Sequence, residues 1–241
     1  QQSSLHVGMP LMVYHTSLDG AWLLVRSPMA WGWVDASSVA FVDEAFQKAW
    51  QDAPLGAVVK EDVSLRNGDA FLALADIGAV LPMEGAGTAL VPVREVSGQA
   101  GIVRVAVAEG DMLAMPQPLT AQAVAAIGDR MMGGNYGWGG MYGNRDCSAM
   151  MRDLFAAFGI WLPRNSRSQG RVGYPTSLAG MSSAEKEATL QRSGVPFATL
   201  VVMNGHVVLY IGTYEGRPAI MHDLWGIRVD EPADEDQRLI I

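Results

Sequence analysis

Cys147 is the only cysteine of the chain, and four histidines accompany it: His6, His15, His206 and His222. A lone thiol can form neither an internal disulfide nor a thiolate-rich metal cluster. It is an inert packing residue or a nucleophile, and its surroundings decide which. Cys147 follows a glycine-rich stretch, and behind it Met150, Met151, Leu154, Phe155 and Phe158 recur at helical spacing. That places the cysteine at or near a helix N-terminus. There the unpaired backbone N–H groups and the positive end of the helix dipole favour a thiolate. The expectation is a lowered thiol pKa and a usable nucleophile.

A thiol nucleophile needs a base, and the base needs a partner on its far nitrogen. Asn204-Gly205 is a two-residue hairpin signal that starts a strand at His206. A second hairpin turning around Tyr214 would set His206 directly opposite His222, with Cβ atoms about 5 Å apart on one sheet face. Val208 and Tyr210 would share that face, while Val207, Leu209 and Ile211 read as the core side. A slip of one residue would send the two histidines to opposite faces. So placed, His206 serves as base and His222 as its orienting partner, the place that Asp or Asn can take. Two blander readings use the same residues. One is a hydrogen-bonded sheet histidine at His222 beside a packed cysteine. The other is a zinc site, although the set lacks the spacing of zinc motifs.

The elements that must hold these groups differ along the chain. Residues 5–113 read as all-β, with short apolar runs cut by turns such as Asp19-Gly20 and Asn67-Gly68. Strand-turn spacings near ten residues suggest small barrels or sandwiches, and Phe41 to Trp50 has the helical spacing of a joint between two such units. Residues 114–119 form a proline-bearing linker. After it, Thr120 caps a predicted helix to about Met132, and a second helix spans about Ser148 to Phe158. Ser182 with Glu185 opens a third as a capping box. Strands follow at Thr199–Met203, at His206–Gly212 and from Ala219 to Leu224. Helices before an antiparallel meander make an α+β pattern. The predicted division is 1–50, 51–113 and 114–241.

Composition removes several alternatives. Lys+Arg 17 against Asp+Glu 25 leaves a net charge of -8 and no basic block, which argues against a nucleic-acid partner. No apolar run approaches the ~18 residues a membrane-spanning helix needs. The first residues, Gln1 and Gln2, are no initiator methionine, and the segment to Pro10 has neither a basic nor an apolar leader region. An upstream leader or domain is therefore expected to have preceded them. No feature fixes an oligomeric state.

Four groups of residues carry a family resemblance. They are Tyr136-Gly-Trp-Gly-Gly140, Asp146-Cys147-Ser148, Gly159-Ile-Trp-Leu-Pro-Arg164 with Ser166 and Gln169, and Gly205-His206-Val-Val-Leu-Tyr-Ile-Gly212. Over roughly 114–241 they resemble the NlpC/p60 cysteine peptidases, papain-like enzymes that cut cell-wall peptides. Asp19-Gly-Ala-Trp22 and Gly32-Trp-Val34 resemble bacterial SH3-like barrels. The two-barrel arrangement is similar to that of γ-D-glutamyl-L-diamino acid endopeptidases. One departure is Pro196-Phe-Ala-Thr-Leu200, where many relatives carry a Gly-Asp pair.

The resemblance implies a multidomain chain of two SH3-like barrels and a papain-like α+β catalytic domain. It implies Cys147 as nucleophile, His206 as base and His222 as third polar member, with no metal and no cofactor. Tyr136 would stand near the oxyanion, Asp146 and Ser148 would help hold substrate, and Arg164 and Ser166 would line the groove. Asp19 or Trp31 would meet the substrate amine, because a barrel over the groove selects a free N-terminal L-Ala in relatives. The implied substrates are peptidoglycan stem peptides or murein fragments, in the periplasm or envelope or, for recycled fragments, in the cytoplasm. A catalytically silent wall-binding scaffold is the alternative, and amidase or acyl-transfer chemistry keeps the same thiol.

Overall fold

The computed structural model describes residues 3–228 and 239–240. Contacts divide the described residues into two units: Ser3–Met132 with Arg152–Trp161, and Gly133–Met151 with the described residues from Leu162 onward.

The first unit begins with an antiparallel meander of β1 (Met12–Thr16), β2 (Trp22–Arg26) and β3 (Trp31–Asp35). Side chains alternate across it as the pleat demands. Leu23 and Val25 are buried with Val39, while Trp22, Trp31 and Trp33 stay about half exposed on the other face. A helix, α1 (Glu44–Asp52), follows where helical spacing predicted a joint. Its start is set by Asp43, whose carboxylate accepts the Phe46 N–H at 2.8 Å. Of the four early tryptophans, Trp50 alone packs against a core, that of the second β group.

That group comprises β4 (Leu55–Val58), β5 (Val63–Asn67), β6 (Ala70–Ala75), β7 (Val80–Pro82), β8 (Thr88–Arg94), β9 (Ala100–Ala106) and β10 (Met112–Ala114). β4 lies between β10 and β7, and β5–β6 and β8–β9 form hairpins. Val58, Leu65, Leu81, Val91 and Val105 fill its core. Helix α2 (Ala121–Arg130) is capped by Thr120 as its sequence predicted. Its Arg130 donates to the carbonyls of Val59 (2.8 Å) and Gly110 (2.9 Å), so α2 is tied to the second β group.

Helix α3 (Cys147–Ala156) begins at the cysteine, and its last residues group with the first unit. The second unit adds a turn at Trp138–Gly143, α4 (Ser166–Gln169), α5 (Ser183–Ser193) and a sheet of β11 (Thr199–Met203), β12 (His206–Tyr214) and β13 (Arg217–Met221). The capping box at Ser182 and Glu185 is present, with both of its bonds formed. A short pair, β14 (Ile227–Arg228) and β15 (Leu239–Ile240), lies apart from this sheet.

β12 is the central strand, and Val207, Val208, Leu209 and Tyr210 are all buried. Both faces are therefore covered, which corrects the expected single core face. α4 lies against β11 and β12, and α5 against β13, which supplies cover that an isolated alternating pattern does not foretell.

The β12–β13 register also differs from expectation. The turn is Glu215-Gly216, both left-handed (φ 49 and 77), and it pairs Tyr214 with Arg217. This is the backbone of a two-residue hairpin whose twist matches its strands. Continued unbroken, that register would set His222 opposite Leu209, on the wrong face for His206. A bulge at Ile211 intervenes, after which Tyr210 pairs with Ile220 and Leu209 with Met221. One extra residue in one strand shifts the face of everything beyond it. Gly212 makes the bulge accessible, because its φ of 121 lies where L-residues are strained.

Candidate active site

Cys147 is the first residue of α3 and is 4% exposed. Its thiol meets the backbone N–H groups of Val207 and Ser148 and the hydroxyl of Tyr136. Val207 directly follows His206, so the sulfur rests against the strand that carries His206. Nε2 of His206 lies 2.9 Å from Nδ1 of His222. Their ring centroids are 5.2 Å apart and the planes are inclined at 66°. With Nε2 engaged by His222, Nδ1 is the His206 nitrogen outside that contact. The two histidines do meet on one face, but diagonally, with Val208 rather than His206 next in register opposite His222. Direct opposition is thus corrected, and the shared face survives because the bulge restores it.

The thiol pKa departs from expectation in sign. Burial pushes the Cys147 thiol up, and the Asp146 carboxylate adds to the rise. The hydrogen bonds from Val207, Tyr136 and Ser148 oppose both without prevailing. Burial, followed by the neighbouring His222, pushes His206 down, and burial does the same to His222. At neutral pH the three groups rest as thiol and two neutral imidazoles. Burial, followed by the charges of Cys147 and Asp146, pushes the Tyr136 phenol far up, so it stays a hydrogen-bond donor.

Asp146 caps α3. Its Oδ1 accepts the Ala149 N–H at 2.9 Å, and its Oδ2 accepts the Gly139 N–H at 3.1 Å. Arg164 grips the same carboxylate with two parallel bonds, Nη1 to Oδ1 at 3.0 Å and Nη2 to Oδ2 at 2.7 Å. Burial alone would raise the Asp146 pKa, but the Arg164 fork and the N–H and O–H donors hold it below the usual value. Ser148 Oγ lies 2.9 Å from Asp146 Oδ1 and 2.8 Å from the Arg164 carbonyl.

Arg164 (4% exposed) and Ser148 (5% exposed) are both buried and form, with Asp146, a brace behind Cys147. Gln169 joins it, donating to the carbonyls of Ser148 (2.8 Å) and Pro163 (2.9 Å). Ser166 opens α4 beside its cap Asn165 and is partly exposed.

Asp223 was not singled out from sequence. It directly follows His222. Burial and the Asp146 charge raise its pKa to about 6, against the opposing pull of Arg145. A carboxylate next to a histidine in a loop carries no spacing signal, so only burial exposes it.

Asp19 and Trp31 belong to the first unit. Asp19 closes the β1–β2 turn, its Oδ1 accepting from Ser17 Oγ (2.5 Å) and the Ala21 N–H (3.1 Å). Trp31 stacks at a tilt on Tyr14, centroids 4.4 Å apart, with Arg26 over its ring.

Among the described residues no group of three or more His, Cys, Asp or Glu is placed to hold a metal ion. His206 and His222 point nitrogens at each other instead of converging on a common centre.

This chain matches three family models: an SH3 domain of SH3b1 type over residues 1–35, an SH3 domain of SH3b2 type over 43–87, and the NlpC/P60 family over 133–233. Residues 133–233 form an NlpC/P60 domain. The two SH3b domains precede it, and the domain holds every member of the site just described. Among solved structures, the chain is similar to an NlpC/P60 endopeptidase from Photobacterium damselae subsp. piscicida. The identity is 30% and the TM-score 0.84, over 95% of this chain and 54% of that one. The chain therefore spans about half the length of that relative. An NlpC/P60 family protein from Bacillus cereus ATCC 10987 shares the fold, with a TM-score of 0.58 and 18% identity, over 92% of this chain and 76% of that one. Among curated proteins none matches.

Proposed function

We propose that this protein is a cysteine endopeptidase that cuts the γ-D-glutamyl–diamino acid bond of peptidoglycan peptides. The observation that carries the proposal is the His206–His222 contact of 2.9 Å, on a strand whose Val207 N–H meets the buried helix-terminal thiol, all within an NlpC/P60 domain.

Nδ1 of His206 takes the thiol proton as sulfur attacks the γ-carbonyl carbon, and the carbonyl π-electrons move onto oxygen. His222 steadies the imidazolium that forms, since its Nδ1 accepts from the Nε2–H of His206. The Tyr136 hydroxyl and the Cys147 backbone N–H stabilise the oxyanion. Collapse breaks the C–N bond, and His206 passes its proton to the leaving amine. A thioester remains. Water then adds to it with His206 as base, sulfur leaves as the thiol, and the glutamyl carboxylate is released.

The raised thiol pKa favours proton transfer during attack over a preformed thiolate–imidazolium pair. The buried brace of Asp146, Arg164 and Ser148 fixes the start of α3, which matters because misplacing a nucleophile by about 1 Å costs on the order of 100-fold. A preference for a free N-terminal L-Ala belongs to the same proposal. Wall peptides put the work in the periplasm or envelope, and recycled fragments would put it in the cytoplasm.

The test is hydrolysis of L-Ala-γ-D-Glu-meso-diaminopimelate by the wild type and by Cys147→Ala, with product analysis to separate hydrolysis from acyl transfer. Equal rates in the two proteins would overturn the proposal. Wall binding by the wild type without cleavage would identify a scaffold.

A further inference from the structure

A cavity of about 270 Å³ lies within the first unit. Its walls are largely apolar, with Met9, Pro28, Val80, Met115, Ile160 and Trp161 among them. One end is built differently. Asp153 (2% exposed) and Arg152 (9% exposed), both on α3, are joined by bonds from Arg152 Nε (2.9 Å) and Nη2 (2.6 Å) to Asp153 Oδ1. His6 Nε2 reaches the same oxygen at 3.2 Å.

Gly78 (φ 100) brings its backbone so close that a Cβ there would stand 2.5 Å from the Asp153 Cβ. The polar end is therefore enclosed by close packing as well as by bonds. Arg152 Nη1 has a poorer partner, the thioether sulfur of Met29, which also lines the cavity. A thioether is a weak acceptor for a guanidinium. An apolar cavity of ~150 Å³ already takes a benzene molecule, and this one is nearly twice that size. A largely apolar pocket with a few convergent polar groups is the usual form of a small-molecule site.

We propose that this cavity binds a small apolar molecule carrying one carbonyl or carboxylate oxygen, with that oxygen taken by Arg152 Nη1 in place of the Met29 sulfur. Asp153 already balances the Arg152 charge, so the oxygen need not be anionic. The site is distinct in residues and chemistry from the thiol site. It touches α3, the helix that opens with Cys147.

The experiment uses the full chain with 4-methylpentanoate, 4-methylpentanamide and 4-methylpentan-1-ol as probes. Binding is followed by ligand-detected NMR and by the fluorescence of Trp161 against a Trp161→Phe control. The acid and the amide are expected to bind with Kd of about 1 mM or tighter, and the alcohol at least about fivefold more weakly. Ala156→Phe, which fills the cavity, is expected to abolish binding while leaving iodoacetamide labelling of Cys147 unchanged. Met29→Leu, which removes the sulfur, is expected to keep the preference for acid and amide over alcohol. No binding at about 10 mM, binding that survives Ala156→Phe, or equal affinity for the alcohol would each overturn the proposal.

Discussion

His206 and His222 bring Nε2 and Nδ1 to within 2.9 Å although they are not cross-strand partners. The ladder between them pairs Leu209 with Met221, and the bulge at Ile211 keeps both rings on one face. A one-residue irregularity five positions from His206 thus decides whether the two rings can meet.

Gly212→Ala tests that claim. A Cβ at Gly212 would meet only Pro196, at 3.9 Å, so the cost is conformational rather than steric. We expect a loss of about 1–3 kcal/mol in urea unfolding, the usual cost of holding an L-residue in that backbone region. We also expect a fall in kcat/KM exceeding that of a Gly68→Ala control, where the φ is also positive but the turn lies in the first unit.

Removing the site's members should separate their roles. Cys147→Ala and His206→Ala are each expected to lower kcat/KM by more than ~1,000-fold. His222→Ala should cost roughly 100- to 1,000-fold in kcat with little change in KM, because His222 acts through His206. His222→Asn should recover part of that loss, since an amide oxygen can still accept from His206 Nε2–H. Failure of Asn to outperform Ala would argue that His222 only packs.

The pH profile follows from the directions of the shifts. His206 is held below its ordinary 6.5, so it stays a neutral base as pH falls past that value. Cys147 is held above its ordinary 9.0, so thiolate ultraviolet absorbance should rise only above pH 9. The kcat/KM plateau should span both values. A thiolate step near pH 4, the mark of a preformed ion pair, would contradict this order.

Asp223→Asn should act on stability with a definite sign. The folded pKa of about 6 exceeds the ordinary 3.8, so the folded state binds more protons between them. The stability this carboxyl contributes is complete below pH 3.8 and lost as pH rises through about 6. The asparagine variant should therefore melt higher than wild type at pH 7, by roughly 2–4 °C, and no higher at pH 3.5. Thermal unfolding at the two values decides it.

Arg164→Met should be costly because it strands the Asp146 carboxylate beneath the nucleophile. The expected loss is about 3–5 kcal/mol, partly recovered by adding Asp146→Asn, which removes the orphaned charge. Chemical denaturation of the single and double variants measures both.

Trp22, Trp31 and Trp33 show where composition misleads. A tryptophan ordinarily buries its large ring, yet these three lie half exposed on the outer face of β1–β3. The alternation was visible in sequence, but which parity faces the core depends on Val39 and its neighbours closing the other side.

The sequence by itself determined whatever rests on a few adjacent residues. It set the cysteine at the head of α3, the Thr120 cap, the Ser182–Glu185 box, the Asn204-Gly205 turn and, through them, a thiol and two imidazoles in one domain. Caps and tight turns are local backbone chemistry, so their signals survive without a fold. Tertiary structure alone decided the bulge at Ile211, the upward shift of the thiol, the fork of Arg164 on a carboxylate 18 residues away and the burial of Asp223. Each of these depends on which distant segments exclude water from a side chain, and spacing along a chain does not encode that exclusion.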